Sequence, residues 1–236
     1  MTLQEWAGIT DFDPRATLAV VFTDIIDSTT LARTVGDKEM FDMLVSHFQA
    51  ARASRMLYDA FEIKLIGDAY MAAFRTADAA LQFALEFRQD TGDPRIAIRV
   101  GIHVGQVRIK DEDIYGLMVN KASRLAHVRV DGDEGIFLSA SAKADIESEY
   151  GTNPQGFRLF RLPPIQLQGL GPREEVWQVV TAEIRAARAV RRRAKQEEAA
   201  RKNPKPVPPS PVPEVPQLDS LRGFLIKPRL PIRSKD

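Results

Sequence analysis

Residues 17–180 alternate between short runs of β-forming residues and longer amphipathic stretches, and this alternation is the strongest constraint on the fold. Short apolar, β-branched runs are typical of strands, whereas apolar residues three and four apart are typical of helices. The resulting order is strand, helix, two strands, helix and strand, followed by further helices and strands. This order predicts an α+β fold, a ferredoxin-like antiparallel sheet with helices on one face.

The sharpest local signal is the dipeptide Gly67-Asp68, which separates two short β-type runs. Glycine readily adopts the backbone angles of a two-residue hairpin turn, so these runs are predicted to form a tight hairpin. An earlier β-type run precedes Asp24. In a sheet of this order the first strand pairs with the third, and we therefore expect Asp24 and Asp68 to meet at one edge of the sheet.

The longest helical pattern begins at Asp37. Apolar residues recur there at the spacing of one helix face, which predicts an amphipathic helix packed on the core. The predicted core face consists of Phe41, Leu44, Val45 and Phe48. Further along, Gly101 and Gly105 interrupt a long β-rich stretch, and we expect the strand to bend at both.

Composition excludes several kinds of chemistry. The 236 residues contain no cysteine, which excludes disulfides, thiolate nucleophiles and Cys-based zinc sites. The three histidines, His47, His103 and His127, show no metal-ligand spacing. No apolar run approaches the roughly 20 residues of a spanning helix, and the start of the chain has no signal pattern. We therefore expect a soluble cytoplasmic protein.

Charge separates an acidic body from a basic end. Residues 1–180 contain 19 Lys or Arg and 26 Asp or Glu, a net charge of −7, whereas residues 181–236 contain 14 and 6, a net +8. The predicted segments are an N-terminal lead (1–16), a folded domain (17–180), a basic helix (181–203) and a Pro-rich disordered tail (204–236). The basic end suits peripheral contact with an anionic membrane. The acidic body gives no reason to expect a nucleic-acid partner.

The two strand-end carboxylates suggest a cation site. Facing carboxylates repel each other unless a proton or a cation lies between them, and oxygen ligands favour Mg²⁺ or Mn²⁺. Ser28 and Thr29 follow Asp24 at the start of a predicted helix, whose free N–H groups can bind phosphate. A metal site beside an anion site predicts a nucleotide site. The simpler alternative is that Asp24 caps that helix and Asp68 is only a turn residue.

Asn120 and Arg124 are four residues apart in a predicted helix and therefore share one face. A neutral hydrogen-bonding group and a guanidinium on the same face can orient a ribose and stabilise charge on a transferring phosphoryl group. The alternative is that both are ordinary surface residues.

Four segments together resemble a known family. FTDIIDST, KLIGDAYMAAF, RVGIHVGQV and DIYGLMVNKASRL are similar, in order and spacing, to the catalytic domains of class III adenylate and guanylate cyclases. The resemblance covers residues 17–180 and agrees with the fold read from periodicity. It implies a nucleotidyl cyclase that converts a nucleoside triphosphate into a 3′,5′-cyclic nucleotide and pyrophosphate.

The resemblance also implies a role for each matched residue. Asp24 and Asp68, with the Ile25 carbonyl, would bind two divalent cations, Mg²⁺ or Mn²⁺, and Arg99 would contact the triphosphate. The remaining roles are assigned as follows: Lys64 and Asp113 bind the base, Asn120 orients the ribose, and Arg124 stabilises the transition state. In this family the metal-binding group and the base-binding group come from different subunits. A homodimer with active sites at the interface is therefore implied.

Lys64 and Asp113 do not determine which base the substrate carries. By resemblance the pair is typical of adenine selection, since guanylate cyclases usually carry Glu at the lysine position. One donor and one acceptor also match cytosine or uracil. We expect ATP as the substrate, and the alternative is a UTP or CTP cyclase that makes cUMP or cCMP in bacterial antiphage defence. A further alternative is a non-catalytic nucleotide-binding dimerisation module.

Two departures from the family pattern affect these expectations. A lysine that touches the triphosphate in some members would fall near Leu170, so that contact is missing here or comes from elsewhere. The segment from Gly105 to Asp113 is shorter than the corresponding arm of many relatives. The dimer contacts that this arm usually makes are therefore not expected in the usual form.

Overall fold

The computed structural model describes residues 1–9, 13–130, 135–151, 156–182, 184–186 and 189. The chain divides into two units, Met1–Arg193 and Ala194–Asp236. The second unit, most of the predicted basic helix and the whole predicted Pro-rich tail lie outside the described residues. Within the described part, no helix is long and apolar enough to cross a membrane.

Helices and strands alternate in the first unit largely as predicted. The helices are α1 (Leu3–Ala7), α2 (Ser28–Val35), α3 (Asp37–Met56), α4 (Ala77–Phe87), α5 (Leu117–Ala126) and α6 (Ala140–Tyr150). The strands are β1 (Arg15–Ile25), β2 (Phe61–Ile66), β3 (Ala69–Phe74), β4 (Ile98–Lys110), β5 (Asp113–Tyr115), β6 (Gly135–Ser139), β7 (Phe157–Arg161) and β8 (Val176–Thr181).

These strands form one sheet in the order β2-β3-β1-β4-β6-β8-β7, with β5 paired to β4. The β4–β6 pair is parallel, and the other pairs are antiparallel. The first strand lies beside β3, as the sequence predicted. The predicted α+β class is confirmed.

Two apolar layers cover the sheet. The larger layer packs α3, α4 and α6 against alternate residues of the central strands, such as Val21 and Val100. On the opposite face, which we call the α5 face, Ala122 and Ala126 of α5 pack with Val20 and other strand residues. The main helical layer therefore lies on one face as predicted, and α1 and α5 cover the other.

The predicted N-terminal lead contains a packed helix, α1. Thr2 and Glu5 form a capping box at its start, and Gly8 ends it in a left-handed conformation. Leu3 and Trp6 are buried on the α5 face. The Trp6 indole N–H donates to the Asp59 carbonyl at 2.8 Å. Part of the segment before β1 is therefore tied to the sheet.

The prediction of the core face of α3 was wrong: the observed face is shifted by about one residue along the helix. Phe41 is 66% exposed and Val45 40% exposed, although Phe48 is buried. The residues that α3 buries are Met40, Met43, His47, Phe48, Ala51 and Ser54. On this buried face the His47 imidazole packs on Phe87, and its Nδ1 hydrogen-bonds to the Thr91 carbonyl at 2.8 Å.

Gly101 is a packing contact, and neither it nor Gly105 interrupts the strand, since β4 runs through both in continuous register with β1. A Cβ atom at this position would lie 2.3 Å from the Ala122 carbonyl oxygen and 2.4 Å from the Ala126 nitrogen. Both distances are far below van der Waals contact. Glycine is therefore what allows the backbone of α5 to lie directly on β4.

We expect Gly101→Ala to destabilise the fold by at least about 2 kcal/mol, because the added methyl group has to displace helix backbone. Denaturant unfolding followed by circular dichroism measures the change. Gly171→Ala is the matched control, since a Cβ there would have no neighbour within 4 Å. Equal stability of the two variants would contradict the packing role of Gly101.

Candidate active site

Asp24 lies near the end of β1, directly opposite Arg99 on β4. The Arg99 side chain is only 5% exposed, and its Nη2 donates to Asp24 Oδ2 at 2.6 Å. Direct pairing across an antiparallel ladder brings the two side chains together. The predicted triphosphate contact, Arg99, is therefore the ion-pair partner of a predicted metal ligand.

Asp68 occupies the turn between β2 and β3, next to Gly67, whose φ is +63°. The predicted tight hairpin is present. Asp68 Oδ2 is buried, and no hydrogen-bond partner among the described residues reaches it. Burial lowers the pKa of nearby His47, while the Thr91 carbonyl and the Asp68 carboxylate act in the opposite direction. A buried carboxylate oxygen without a partner is costly and suits a bound cation.

Thr23 links the two strands that carry these aspartates. Its side chain is fully buried, and its Oγ1 accepts a hydrogen bond from the Tyr70 backbone N–H at 3.2 Å. Thr23 precedes Asp24 on β1, and Tyr70 follows the Asp68 turn by two residues. This bond therefore fixes the base of the hairpin against the end of β1. Thr23 carries no recognisable signal in the sequence, since its partner Tyr70 lies 47 residues away.

A β-bulge sets the direction of Lys64. Glu62 lies opposite Ala72, but Lys64 lies opposite Met71, so Ile63 is an extra residue in β2. Ala72 packs against the main helical layer, whereas Met71 lies on the opposite face, the α5 face. A bulge of this kind turns the strand locally and redirects the next side chain. Lys64 consequently shares the α5 face instead of the face occupied by Glu62.

Lys64 meets Asp113 on that face. Lys64 Nζ donates to Asp113 Oδ2 at 2.5 Å, and Asp113 Oδ1 accepts the Ile114 backbone N–H at 2.8 Å. Asp113 begins β5, which is joined to β4 by a turn whose Asp111 and Glu112 both have positive φ. Folding thus brings together two predicted base-binding residues that are 49 positions apart.

Asn120 and Arg124 both lie on α5, as predicted. Asn120 is exposed, and Arg124 Nε donates to the Gln168 carbonyl at 3.1 Å. A groove of about 370 Å³ runs beside Arg124 and His127. The Leu170 side chain is buried in an apolar cluster with Leu125 and other residues, so that side chain offers no polar contact.

The predicted anion site lies at the start of α2. Ser28 and Thr29 are its first two residues, and the side chain of the N-cap residue Asp27 makes no capping hydrogen bond. Asp27 precedes it with a left-handed backbone, φ 53°. An uncapped helix N-terminus can bind an anion with its backbone N–H groups. Ile25, the last residue of β1, is buried and ends the strand immediately before this turn.

One further residue reaches the site. His127 follows α5, and its Nε2 lies 3.6 Å from Asp24 Oδ1. In the sequence, this histidine shows no metal-ligand spacing to the other two. The available signal was its position three residues after Arg124, which places both on one side of the helix end.

The donor set fits divalent cations bound jointly with a substrate. The donors include carboxylate oxygens, and the buried Asp68 Oδ2 has no hydrogen-bond partner in the part of the chain that the structure describes. Among the described residues there is no group of three or more His, Asp or Glu side chains that could hold a metal alone. Phosphate oxygens and water would therefore complete the coordination, as is usual for Mg²⁺ at nucleotide sites.

The chain belongs to a known family. The model of the family "Adenylate and Guanylate cyclase catalytic domain" matches residues 11–179. This range contains every residue of the candidate site described above.

Individual relatives agree with this assignment. The chain is 31% identical over 165 residues to an adenylate cyclase of Podospora anserina. The aligned region covers 57% of this chain and 8% of that protein. It is 26% identical over 177 residues to the guanylate cyclase soluble subunit beta-2 of Rattus norvegicus, which covers 66% of this chain and 25% of that protein. This chain therefore corresponds to a minor part of each of these relatives.

The fold is also that of solved cyclases. The crystal structure of the adenylyl cyclase CyaB from P. aeruginosa superimposes with a TM-score of 0.61 at 21% identity. The match covers 71% of this chain and 95% of that one. The cyclase fold expected from the sequence is therefore confirmed.

We expect Thr23→Val to cost about 1–3 kcal/mol of stability, because the buried Tyr70 N–H loses its acceptor while side-chain volume is retained. Chemical denaturation measures this cost. Thr17→Val on the same strand is the control, since Thr17 is exposed. A cost no greater than that of Thr17→Val would show that the bond does not fix the hairpin.

Proposed function

We propose that the protein is a nucleotidyl cyclase that converts a nucleoside triphosphate, with ATP preferred, into a 3′,5′-cyclic nucleotide and pyrophosphate. The observation that carries the proposal is the pair Asp24 and Asp68 on neighbouring strands, with a buried oxygen of Asp68 unpartnered in the described part of the chain. A purely structural turn residue would gain nothing from such an oxygen.

The site residues form two groups, and each close contact joins members of one group. Asp24 pairs with Arg99, and Lys64 pairs with Asp113. We infer that the first pair, with Asp68, serves the triphosphate and metals, while the second, with Asn120 and Arg124, serves the nucleoside. In the proposed homodimer each active site takes the first group from one subunit and the second from its partner.

Each residue has a defined task in this mechanism. Asp24, Asp68 and the Ile25 carbonyl would hold Mg²⁺ or Mn²⁺, which supply charge neutralisation and acidify the ribose 3′-hydroxyl. The N-terminus of α2, with Ser28 and Thr29, would bind phosphate oxygens. In-line attack of the 3′-oxygen on the α-phosphorus then forms the cyclic ester and releases pyrophosphate. Positioning and charge stabilisation suffice for this chemistry, so no protein nucleophile is needed.

On the base-binding side, Asn120 would orient the ribose ring. Arg124 would stabilise negative charge on the phosphoryl group as it is transferred, since its guanidinium can donate two parallel hydrogen bonds. The Arg124 bond to the Gln168 carbonyl uses only Nε, so within the described part of the chain both terminal nitrogens are available for the phosphate.

Hydrogen bonding at Lys64 and Asp113 supports adenine. With one N–H given to Asp113, Lys64 retains two donors for a ring nitrogen, and Asp113 Oδ2 can still accept from an amino group. Adenine presents that combination at N1 and the 6-amino group. Cytosine presents a similar combination, and uracil matches one donor and one acceptor with its N3–H and O4. A UTP or CTP cyclase is therefore the alternative that the assay has to distinguish from an ATP cyclase.

We expect purified protein with Mn²⁺ to release pyrophosphate and form cyclic product most rapidly from ATP, when ATP, GTP, CTP and UTP are supplied separately. Asp24→Asn and Asp68→Asn should each lower the rate at least about 100-fold, because the cation ligands lose their charge. Product formation is measured by chromatography.

Asp42→Asn, on the exposed side of α3, is the charge-matched control. Full activity of Asp68→Asn would contradict the metal pair, and a preference for UTP or CTP would replace ATP as the substrate.

An active site shared between two subunits predicts that two inactive variants complement each other. Asp68→Ala and Arg124→Ala chains should each be inactive alone, and mixing them should restore activity, because one interface of the heterodimer then has both groups intact. At equal amounts and random exchange, about a quarter of the wild-type activity is expected. Mass spectrometry establishes subunit exchange in the same sample. Exchange without recovery would mean that each site is built within one chain.

A further inference from the structure

His127 faces Asp24 at the end of α5. Its Nε2 is 3.6 Å from Asp24 Oδ1, while Arg99 bonds the other carboxylate oxygen, Oδ2. The His127 side chain is 54% exposed, so an ion or substrate can reach it. Its other ring nitrogen, Nδ1, lies 2.8 Å from the Ser123 carbonyl oxygen.

The Ser123 contact determines which nitrogen carries the proton in the neutral ring. A carbonyl oxygen only accepts hydrogen bonds, so Nδ1 must donate, and Nε2 is left with a lone pair. Asp24 Oδ1 is also an acceptor. Two lone pairs that face each other need a cation or an additional proton between them.

A metal ion suits this gap. Metal-binding histidines commonly donate their second ring N–H to a backbone carbonyl, the arrangement seen at Ser123. Two donors that are each about 2.1 Å from one ion stand roughly 3 Å apart in adjacent positions and roughly 4 Å apart in opposite ones. The observed separation of 3.6 Å is about half an ångström from each of these values, so a small side-chain rotation would bring both donors onto one ion.

We propose that His127 Nε2 is a ligand of the divalent cation held by Asp24, a proposal that rests on the metal site of the proposed function. Mg²⁺ takes oxygen ligands almost exclusively, whereas transition-metal ions accept imidazole nitrogen. His127 therefore biases the site toward Mn²⁺ over Mg²⁺. His127, which follows the helix that carries the proposed transition-state residue Arg124, thus contributes to the metal preference.

Electron paramagnetic resonance of Mn²⁺ tests this directly. The full chain is loaded with Mn²⁺ and tripolyphosphate, whose only donor atoms are oxygens, so any nitrogen ligand must come from the protein. We expect electron spin-echo modulation from a directly bound ¹⁴N nucleus in the wild type and its loss in His127→Ala. Bound Mn²⁺ without nitrogen coupling in the wild type would overturn the proposal, with no variant needed.

Binding affinities separate a ligand from a simple ion-pair partner, because the two roles predict opposite signs. As a ligand, His127 should contribute affinity, so His127→Ala should weaken Mn²⁺ binding roughly tenfold or more and Mg²⁺ binding much less. As a cationic partner of Asp24 it would compete with the metal, and His127→Ala would leave Mn²⁺ binding unchanged or tighter. Arg129→Ala, which removes a nearby exposed cation, is the control.

Asp24→Asn distinguishes failure of this proposal from failure of the proposed function. If that variant loses Mn²⁺ while the wild type shows no nitrogen coupling, the metal site stands and the role of His127 is wrong. If Asp24→Asn binds Mn²⁺ as tightly as the wild type, both are wrong. Loss of Mn²⁺ in Asp24→Asn together with nitrogen coupling in the wild type supports both.

Discussion

The antiparallel pairing of β1 with β4 is the interaction on which the rest of the site depends. Its register places Asp24 opposite Arg99 and Phe22 opposite Gly101. The first of these pairs sets the charge at the end of the strands. The second brings the glycine under α5, whose backbone lies against it. A shift of one residue would turn every side chain to the other face and separate both features.

The charge at this strand end is balanced within the chain. Asp24 is largely buried, with 15% of its side chain exposed, and an isolated carboxylate there would be costly. The Arg99 guanidinium compensates one oxygen, and Asp24 Oδ1 remains directed toward His127. Arg99 thus keeps the carboxylate in place without occupying both of its oxygens. A preformed ligand with one oxygen available needs little rearrangement to accept a cation.

Much of the fold could be predicted because its signals are local. The hairpin at Gly67-Asp68 follows from turn chemistry, and the strands follow from short apolar runs. The face of α3 could not be predicted in the same way. Its buried face includes His47, a polar residue whose partner is the Thr91 carbonyl 44 residues away, so the spacing of apolar residues alone placed Phe41 on the core face wrongly.

The candidate site shows the same division between local and distant information. Motif resemblance identified Lys64 and Asp113, but their 2.5 Å contact depends on the bulge at Ile63. A bulge is a property of how two strands pair and has no clear signature in one of them. Thr23 and His127 escaped notice for a related reason. Their significance lies in Tyr70 and Asp24, which are distant in sequence.

Helix α5 connects the two kinds of function within one subunit. It carries Asn120 and Arg124, which in the proposed dimer serve the nucleoside bound against the partner's metal-binding group. His127, at the end of the same helix, lies beside Asp24 of its own subunit and hence belongs to the other active site. The ten residues of α5 are supported by β4, where the helix backbone lies directly against Gly101. In the proposed dimer, a displacement of α5 as a body would change the nucleoside contacts of one site and the metal environment of the other at the same time.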